Sequence, residues 1–204
     1  MKRAPYFIAG AIFTVIFGWQ SCLQLVREPG HAKAAPVEDD YPLETGLTWV
    51  YKAPMGMQVV RRVGEPVAIQ QGKRFDHPWY LMQFDLPLLG RKTLVMSRTP
   101  QGVIARRDEV EQLIMRFPMK LGDSWVIDFP KEDLAECTVL EPEQIEVLKK
   151  RVTASKLQIV RTARKSGKKS TDYEWYVRGI GLARIQVTYG LKATFELERF
   201  EKAK

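Results

Sequence analysis

From Leu47 onward, apolar and polar positions alternate in short runs, which turn residues interrupt about every ten residues. Such alternation is typical of β-strands, in which successive side chains point to opposite faces of a sheet. The clearest run is 193–198, where Ala, Phe and Leu alternate with Thr and Glu. One segment, 108–115, has a helix-like pattern, but it is short, and a turn followed by a strand fits it better. The pattern therefore predicts an all-β domain.

The predicted strands are joined in sequence by short turns, and such connections are typical of antiparallel hairpins. Turns are expected at 54–56, 64–66, 100–102, 165–168 and 189–190. A single antiparallel meander of this length curls because twisted strands cannot stay flat, so we expect an open barrel or a strongly bent sheet. The predicted strands are 47–53, 57–63, 79–86, 92–98, 103–107, 112–116, 124–129, 144–151, 156–165, 171–177, 182–188 and 193–200.

Two segments of the chain resemble each other. Residues 41–50 and 117–126 both read aromatic, Pro, apolar, two variable residues, Gly, two variable residues, Trp, Val. An internal echo of this kind predicts a domain built from two similar halves, 41–116 and 117–204. Trp49 and Trp125 would then occupy related, buried positions.

The N-terminal segment is the clearest functional signal in the sequence. Lys2 and Arg3 precede residues 4–26, which carry no charge and are long enough as a helix to cross a bilayer of about 30 Å. Residues 1–26 are thus predicted to be a signal peptide or an N-terminal transmembrane anchor, with the basic pair on the cytoplasmic side. Three alternatives stay open: a retained anchor, cleavage near 32–34, and a lipoprotein signal acylated at Cys22.

The rest of the chain is then exported. Residues 27–40 contain two prolines and no apolar periodicity, so they are expected to form a flexible linker. Residues 41–204 would face the periplasm or the extracellular side, or would be secreted if the signal is cleaved. Cys137 is the only cysteine of this domain, so it is expected to be a lone thiol rather than part of a disulfide framework.

The net charge of +8 lies entirely after residue 40, because residues 1–40 hold four basic and four acidic side chains. A basic exported domain favours anionic lipid over nucleic acid. The densest cluster lies in 161–169, and its side chains are predicted to contact an anionic surface, although ordinary solvated charges are the simpler interpretation. These residues are Arg161, Arg164, Lys165, Lys168 and Lys169.

Three motifs together resemble a family of uncharacterised exported bacterial domains, described as secreted proteins or lipoproteins. They are Tyr-Pro-Leu-x-x-Gly-x-x-Trp from Tyr41, Pro-Met-Lys-Leu-Gly-Asp-Ser-Trp from Pro118, and Trp-Tyr-x-x-Gly-Ile-Gly-Leu from Trp175. The resemblance covers about residues 41–200 and implies export without established catalytic residues. One departure is the stretch 152–156, where relatives carry a Pro-Ala-Gly turn.

The candidate chemistry is sparse. Trp49, Trp79, Trp125 and Trp175 are predicted to line a ligand site or fill the core, since indoles offer large apolar surfaces with one donor. His77 beside Asp76 is the single hint of acid–base catalysis, and no nucleophile motif accompanies it. No metal ligand set and no cofactor motif are recognised.

The sequence therefore predicts a non-catalytic cell-envelope protein that binds a hydrophobic ligand, a lipid or a protein partner. The alternative is an extracytoplasmic hydrolase that uses His77 and Asp76.

Overall fold

The computed structural model describes residues 41–67, 77–86, 90–130, 132–188 and 192–202. The predictions for residues 1–40, for the turn at 189–190 and for Asp76 lie outside the described residues. Within them, no helix is long and apolar enough to span a membrane.

Every strand of the described residues is antiparallel to its neighbours, which confirms the all-β prediction. Each alternating run of the sequence buries one face, as the pattern BeBeBe at the start of the last strand illustrates. A short 3-10 turn at Pro54–Gly56 joins the first two strands. The strands are β1 (Leu47–Lys52), β2 (Gln58–Val67), β3 (Trp79–Leu86), β4 (Gly90–Thr99), β5 (Gly102–Arg107), β6 (Val110–Arg116), β7 (Ser124–Ile127), β8 (Leu134–Val147), β9 (Lys150–Thr162), β10 (Lys169–Val177), β11 (Gly181–Val187) and β12 (Ala193–Lys202).

The twelve strands form one sheet that closes almost completely into a barrel. The order is β6-β5-β4-β3-β2-β1-β12-β11-β10-β9-β8-β7, so each neighbour along the chain is a neighbour in the sheet except β6 and β7. The first and last strands pair directly, with Trp49 opposite Phe200. The two ends of the sheet, β6 and β7, meet at a gap that we call the seam.

The seam falls where the sequence echo divides the chain. Strands β1–β6 occupy 47–116 and strands β7–β12 occupy 124–202. Trp49 lies in β1 and Trp125 lies in β7, the first strand of each half. The similarity of the two halves stays a prediction.

One predicted turn and one predicted strand differ from the structure. Residues 64–66 lie within β2, where the register to β3 shifts by a bulge instead of reversing the chain. The predicted strand 144–151 is wrong, because a tight turn at Leu148 and Lys149 divides it between β8 and β9. Both residues have positive φ without being Gly or Asn, and a sequence pattern does not signal such turns. The start of β8, from Leu134, was not predicted at all.

The core lies on the inner face of the barrel. Its largest fully buried side chains include Trp49, Tyr51, Met82, Met96 and Leu157. Cys137 is buried and free, as predicted for a lone thiol. Gly102 lets β5 approach β6 closely, since a Cβ there would lie 1.9 Å from the Met115 carbonyl oxygen.

Candidate functional site

Arg61 occupies an inner-face position in the middle of β2. The strand registers place it between Trp49 of β1 and Phe84 of β3, both of which belong to the core. It is only 8% exposed, and its Cζ lies 4.9 Å from the centroid of the Phe84 ring. A guanidinium at this position stays charged, because arginine does not deprotonate in proteins.

A tyrosine hydroxyl from the segment before β1 holds the Arg61 guanidinium. Its Nη2 donates to the hydroxyl of Tyr41 over 2.7 Å, whereas its buried Nε has no partner. Among the residues that the structure describes, no carboxylate forms an ion pair with it. Tyr41 is itself held in place, because its ring stacks on Trp49 with the centroids 6.0 Å apart. The ring also packs against Gly181, where a Cβ would come within 3.0 Å of it.

Two more tyrosines interact electrostatically with Arg61. The hydroxyl of Tyr51 donates to the Leu182 carbonyl over 2.9 Å, and the hydroxyl of Tyr176 donates to the Glu174 carboxylate. Burial raises the pKa of both phenols, so they stay neutral. Arg61 therefore lies among neutral hydroxyl dipoles and aromatic rings, and Glu174 interacts with it electrostatically without contacting it. We call Arg61, Tyr41, Tyr51 and Tyr176 the arginine–tyrosine site.

Further acidic and basic groups lie on the inner face of β9 and β10. Asp172 is 2% exposed and accepts hydrogen bonds from Arg161 Nε over 3.3 Å and from the Thr188 backbone N–H over 3.2 Å. Glu174 is partly buried, and burial raises the pKa of its carboxyl, although Tyr176, Arg161 and Arg61 act in the opposite direction. Asp172 thus has a matched counter-ion, and Arg61 does not.

The seam is closed by side chains. Gln112 of β6 donates from its Nε2 to the Asp128 carbonyl and accepts from the Asp128 backbone N–H. Arg107 pairs with Glu132, and its Cζ lies 5.0 Å from the centroid of the buried Phe129 ring. Burial, followed by repulsion from Arg161, lowers the pKa of Arg107 to about 10. Backbone ladders join all other neighbouring strands of the sheet.

A shallow groove lies on the opposite, outer face of the sheet. Glu143 accepts hydrogen bonds there from Lys156 over 3.0 Å and from the Trp175 indole N–H over 3.1 Å. The Lys156 ammonium and the Arg184 guanidinium flank the Trp175 ring at 5.1 and 5.6 Å. These side chains satisfy one another's hydrogen bonds and charges, so their cluster is explained as a structural feature of the outer face. The groove is lined by Leu121, Leu140, Glu141, Pro142, Glu143 and Lys156.

The four predicted tryptophans do not converge on one site. Trp49 is 1% exposed, adjoins Arg61 and donates from its Nε1 to the Ile180 carbonyl over 2.6 Å. Trp79 is buried at the start of β3, Trp125 is partly exposed in β7, and Trp175 contacts Glu143 and Lys156 on the outer face. Of the four, only Trp49 lies beside the arginine–tyrosine site.

The predicted basic cluster is split by the sheet. Arg161 is directed inward to Asp172, and its side chain is only 14% exposed. Arg164 pairs with Asp128 beside the seam. Lys165, Lys168 and Lys169 are exposed at the hairpin between β9 and β10. An anionic surface would therefore meet the three lysines and not Arg161.

His77 is partly buried just before β3. Within the described ranges it makes no hydrogen bond or ion pair, and Asp76 lies outside them. The described residues also contain no group of three or more side chains arranged to hold a metal ion.

Sequence reasoning missed the arginine–tyrosine site. The signal was present in β2, where Val59, Arg61 and Val63 share one face and the charged residue interrupts an apolar alternation. This signal was overlooked because Arg61 is followed by Arg62, and two adjacent arginines are typical of an exposed basic pair. The same interruption occurs in β10, where Asp172 and Glu174 share a face with Tyr176.

Comparisons with known proteins yield two structures of similar fold. One is a candidate exported protein with a YmcC-like fold from Bacteroides fragilis, which matches with a TM-score of 0.47 and 15% identity over 81% of this chain and 100% of that chain. The other is a candidate lipoprotein from Parabacteroides distasonis, with a TM-score of 0.45 and 14% identity over 82% of this chain and 100% of that chain. No protein-family model and no curated protein matches the sequence. Likeness at these scores identifies no activity.

Proposed function

We propose that this protein is an exported, non-catalytic envelope protein that binds a hydrophobic ligand inside its barrel. Export is supported by the uncharged residues 4–26 behind Lys2 and Arg3, which have few other uses at the start of a chain. The seam is the observation that supports ligand binding, because it is the one boundary of the described sheet without a backbone ladder and so offers a route to the core residues of the inner face.

The seam is suited to transient opening. Separating two laddered strands breaks a whole row of backbone hydrogen bonds at once, whereas the seam depends on a few side-chain contacts. Each such contact is worth about 1 kcal/mol net, so opening is far cheaper here than between other strands. The core residue Met115 lies on β6, and Ile127 on β7 packs against the core. An apolar chain that enters at the seam would therefore meet apolar surface.

Export is tested by reporter fusions. Alkaline phosphatase fused after Asp40 is expected to be active, since it folds only outside the cytoplasm. An inactive phosphatase fusion together with an active cytoplasmic reporter at the same position would contradict export.

Ligand binding is tested with the full-length protein, stabilised in amphipol and immobilised for a scintillation proximity assay with tritiated laurate. We expect saturable binding of about one laurate per chain, displaced by unlabelled laurate. A His77→Ala variant should bind equally well, because the proposal assigns no chemistry to this residue. Absence of saturable binding would overturn the ligand-binding proposal, and turnover of a laurate ester that is lost in His77→Ala would favour the hydrolase.

A further inference from the structure

Arg61 is a buried cation that makes no ion pair with a carboxylate of the described residues. It is 8% exposed, its Nη2 donates to the neutral hydroxyl of Tyr41, and its Nε is buried without an acceptor among those residues. The inner face also contains an arginine with a proper counter-ion, since Arg161 pairs with Asp172. Arg161 thus has a carboxylate partner on the same inner face on which Arg61, within the described part of the chain, has none.

An unbalanced buried charge is expensive. The effective cost of burying an ion is several kcal/mol, and only close pairing with an opposite charge offsets it. Glu174 does not fill this role by contact, because its carboxylate accepts the Tyr176 hydroxyl instead. Glu174 therefore acts on Arg61 only through space and not by contact. A partner that brings its own negative charge would remove the imbalance.

The surroundings of Arg61 define what that partner would look like. The Arg61 guanidinium has a rigid fork of donors, which suits the oxygens of a carboxylate or a phosphate. Tyr41 and Tyr51 add hydroxyl groups beside it. Phe84 and the core residues Val63 and Met82 continue from the fork along β2 and β3 as apolar surface. A negatively charged head group would bind the guanidinium and the hydroxyl groups, and its apolar chain would pack against the apolar side chains.

We propose that the arginine–tyrosine site binds the head group of an anionic amphiphile, with Arg61 as the charge-recognising residue and the apolar chain on the inner face of β2 and β3. The head group carries a carboxylate or a phosphate. This proposal rests on the proposed function, because it names the ligand class that the barrel interior would take.

The head group is tested by competition against tritiated laurate on the full-length protein in amphipol. The four competitors are unlabelled laurate, dodecyl phosphate, dodecanol and inorganic phosphate. We expect at least one of the two anionic dodecyl compounds to compete at least tenfold better than dodecanol, and inorganic phosphate to compete poorly for lack of a chain. Whichever anionic compound competes better identifies the head group.

The residue is tested with Arg61→Met, which keeps the length of the side chain and removes its charge, and with Arg61→Lys, which keeps the charge and removes the fork. Arg62→Met is the matched control, because Arg62 is the next residue of β2, is exposed and pairs with Asp85. Arg61→Met is expected to weaken laurate binding at least tenfold and to abolish the preference over dodecanol. Arg61→Lys should retain part of the preference, and Arg62→Met should behave as the parent.

The outcomes separate the two proposals. If laurate and dodecanol compete equally in the parent protein, or if a folded Arg61→Met variant keeps the preference, the head-group proposal is wrong while hydrophobic binding stands. If inorganic phosphate competes as well as dodecyl phosphate, the site binds an anion, and the proposal of a hydrophobic ligand is wrong. If laurate does not bind saturably, both fall. The comparison of head groups needs no variant, so it decides the question even if Arg61→Met does not fold.

Discussion

Gln112 and Asp128 are joined across the seam by two hydrogen bonds that imitate a β-bridge. The Gln112 side-chain amide donates to the Asp128 carbonyl and accepts from the Asp128 backbone N–H. A side chain thus takes the place of a neighbouring strand at the boundary between β6 and β7. This arrangement closes the barrel without a ladder and leaves a boundary that can open on its own.

Replacing Gln112 should loosen the seam without unfolding the barrel. In Gln112→Ala both hydrogen bonds are lost, at a cost of about 1–2 kcal/mol. Amide hydrogen exchange at Asp128 should accelerate, while exchange within β1 and β12 stays slow. Gln144→Ala is the control, because Gln144 bonds only to the exposed Thr153 within the β8–β9 hairpin. Unchanged exchange at Asp128 would show that the two Gln112 hydrogen bonds do not hold the seam closed.

The two tryptophans of the sequence echo should respond differently to substitution. Trp49→Ala is expected to cost about 3–5 kcal/mol, the usual range for emptying a buried large aromatic site. Trp49→Phe should cost about 1 kcal/mol because the Ile180 carbonyl loses its donor. The indole N–H of Trp125 is buried without an acceptor among the described residues, so Trp125→Phe should be nearly neutral. Urea denaturation of the four variants, including Trp125→Ala, measures this, and equal costs for the two Phe variants would contradict it.

The strands were predictable where alternation is strong and turns are conventional. The bounds of β3 match the predicted 79–86, because its second half, 82–86, alternates apolar and polar residues and leaves one register that buries the apolar face. The turn at Leu148 and Lys149 was not predicted, because residues that disfavour positive φ read as part of a continuous strand. The direct pairing of β1 with β12 was not predictable either. It joins residues far apart in sequence and thereby decides where the seam lies.

The candidate site was harder to predict than the fold. A charged residue on an apolar face of β2 was visible in the sequence, but the groups that surround it depend on which strands lie opposite. Tyr41 reaches Arg61 from the segment before β1, and Glu174 comes from β10. No spacing in the sequence brings these three residues together. The positions of the four predicted tryptophans likewise depend on the strand order, and their role in ligand binding stays a prediction.

Glu174 should make the protein more stable on mild acidification. Its pKa in the folded state is raised, chiefly by burial, so the folded state binds a proton more readily than the unfolded state does. Protonation of Glu174 therefore contributes fully to the free energy of unfolding below the ordinary glutamate pKa of about 4.3. This contribution is lost as the pH rises through the raised pKa of the folded state. Glu174→Gln should stabilise the protein at neutral pH and lose this advantage at low pH.

Glu143 provides a control of opposite sign. Hydrogen bonds from Lys156 and Trp175 lower the pKa of its carboxyl, so Glu143→Gln should destabilise slightly at neutral pH and have no effect below the lowered pKa. Urea midpoints of both variants from acid to neutral pH measure the two trends. Parallel profiles for Glu174→Gln and Glu143→Gln would contradict the assignment.

The exposed lysines of the β9–β10 hairpin should attract anionic membranes. Neutralising Lys165, Lys168 and Lys169 to Gln is expected to weaken binding to phosphatidylglycerol vesicles, more at low salt than at high salt. The matched control neutralises Lys149, Lys150 and Arg151, which lie at the other end of β9, about 40 Å away for a strand of 13 residues. Co-sedimentation at several ionic strengths measures binding. Equal losses in the two triple variants would show that only the net charge matters.

The position of a bound chain is the most direct test of an interior ligand site. Full-length protein in amphipol is incubated with laurate that carries a diazirine at the end of its chain, then irradiated and digested, and the adducts are located by mass spectrometry. Adducts are expected on inner-face residues of β2–β4, such as Met82 and Met96, and an excess of unlabelled laurate should suppress them. Adducts confined to Leu121 and Leu140 of the outer groove, or spread over the surface and insensitive to competitor, would contradict binding inside the barrel.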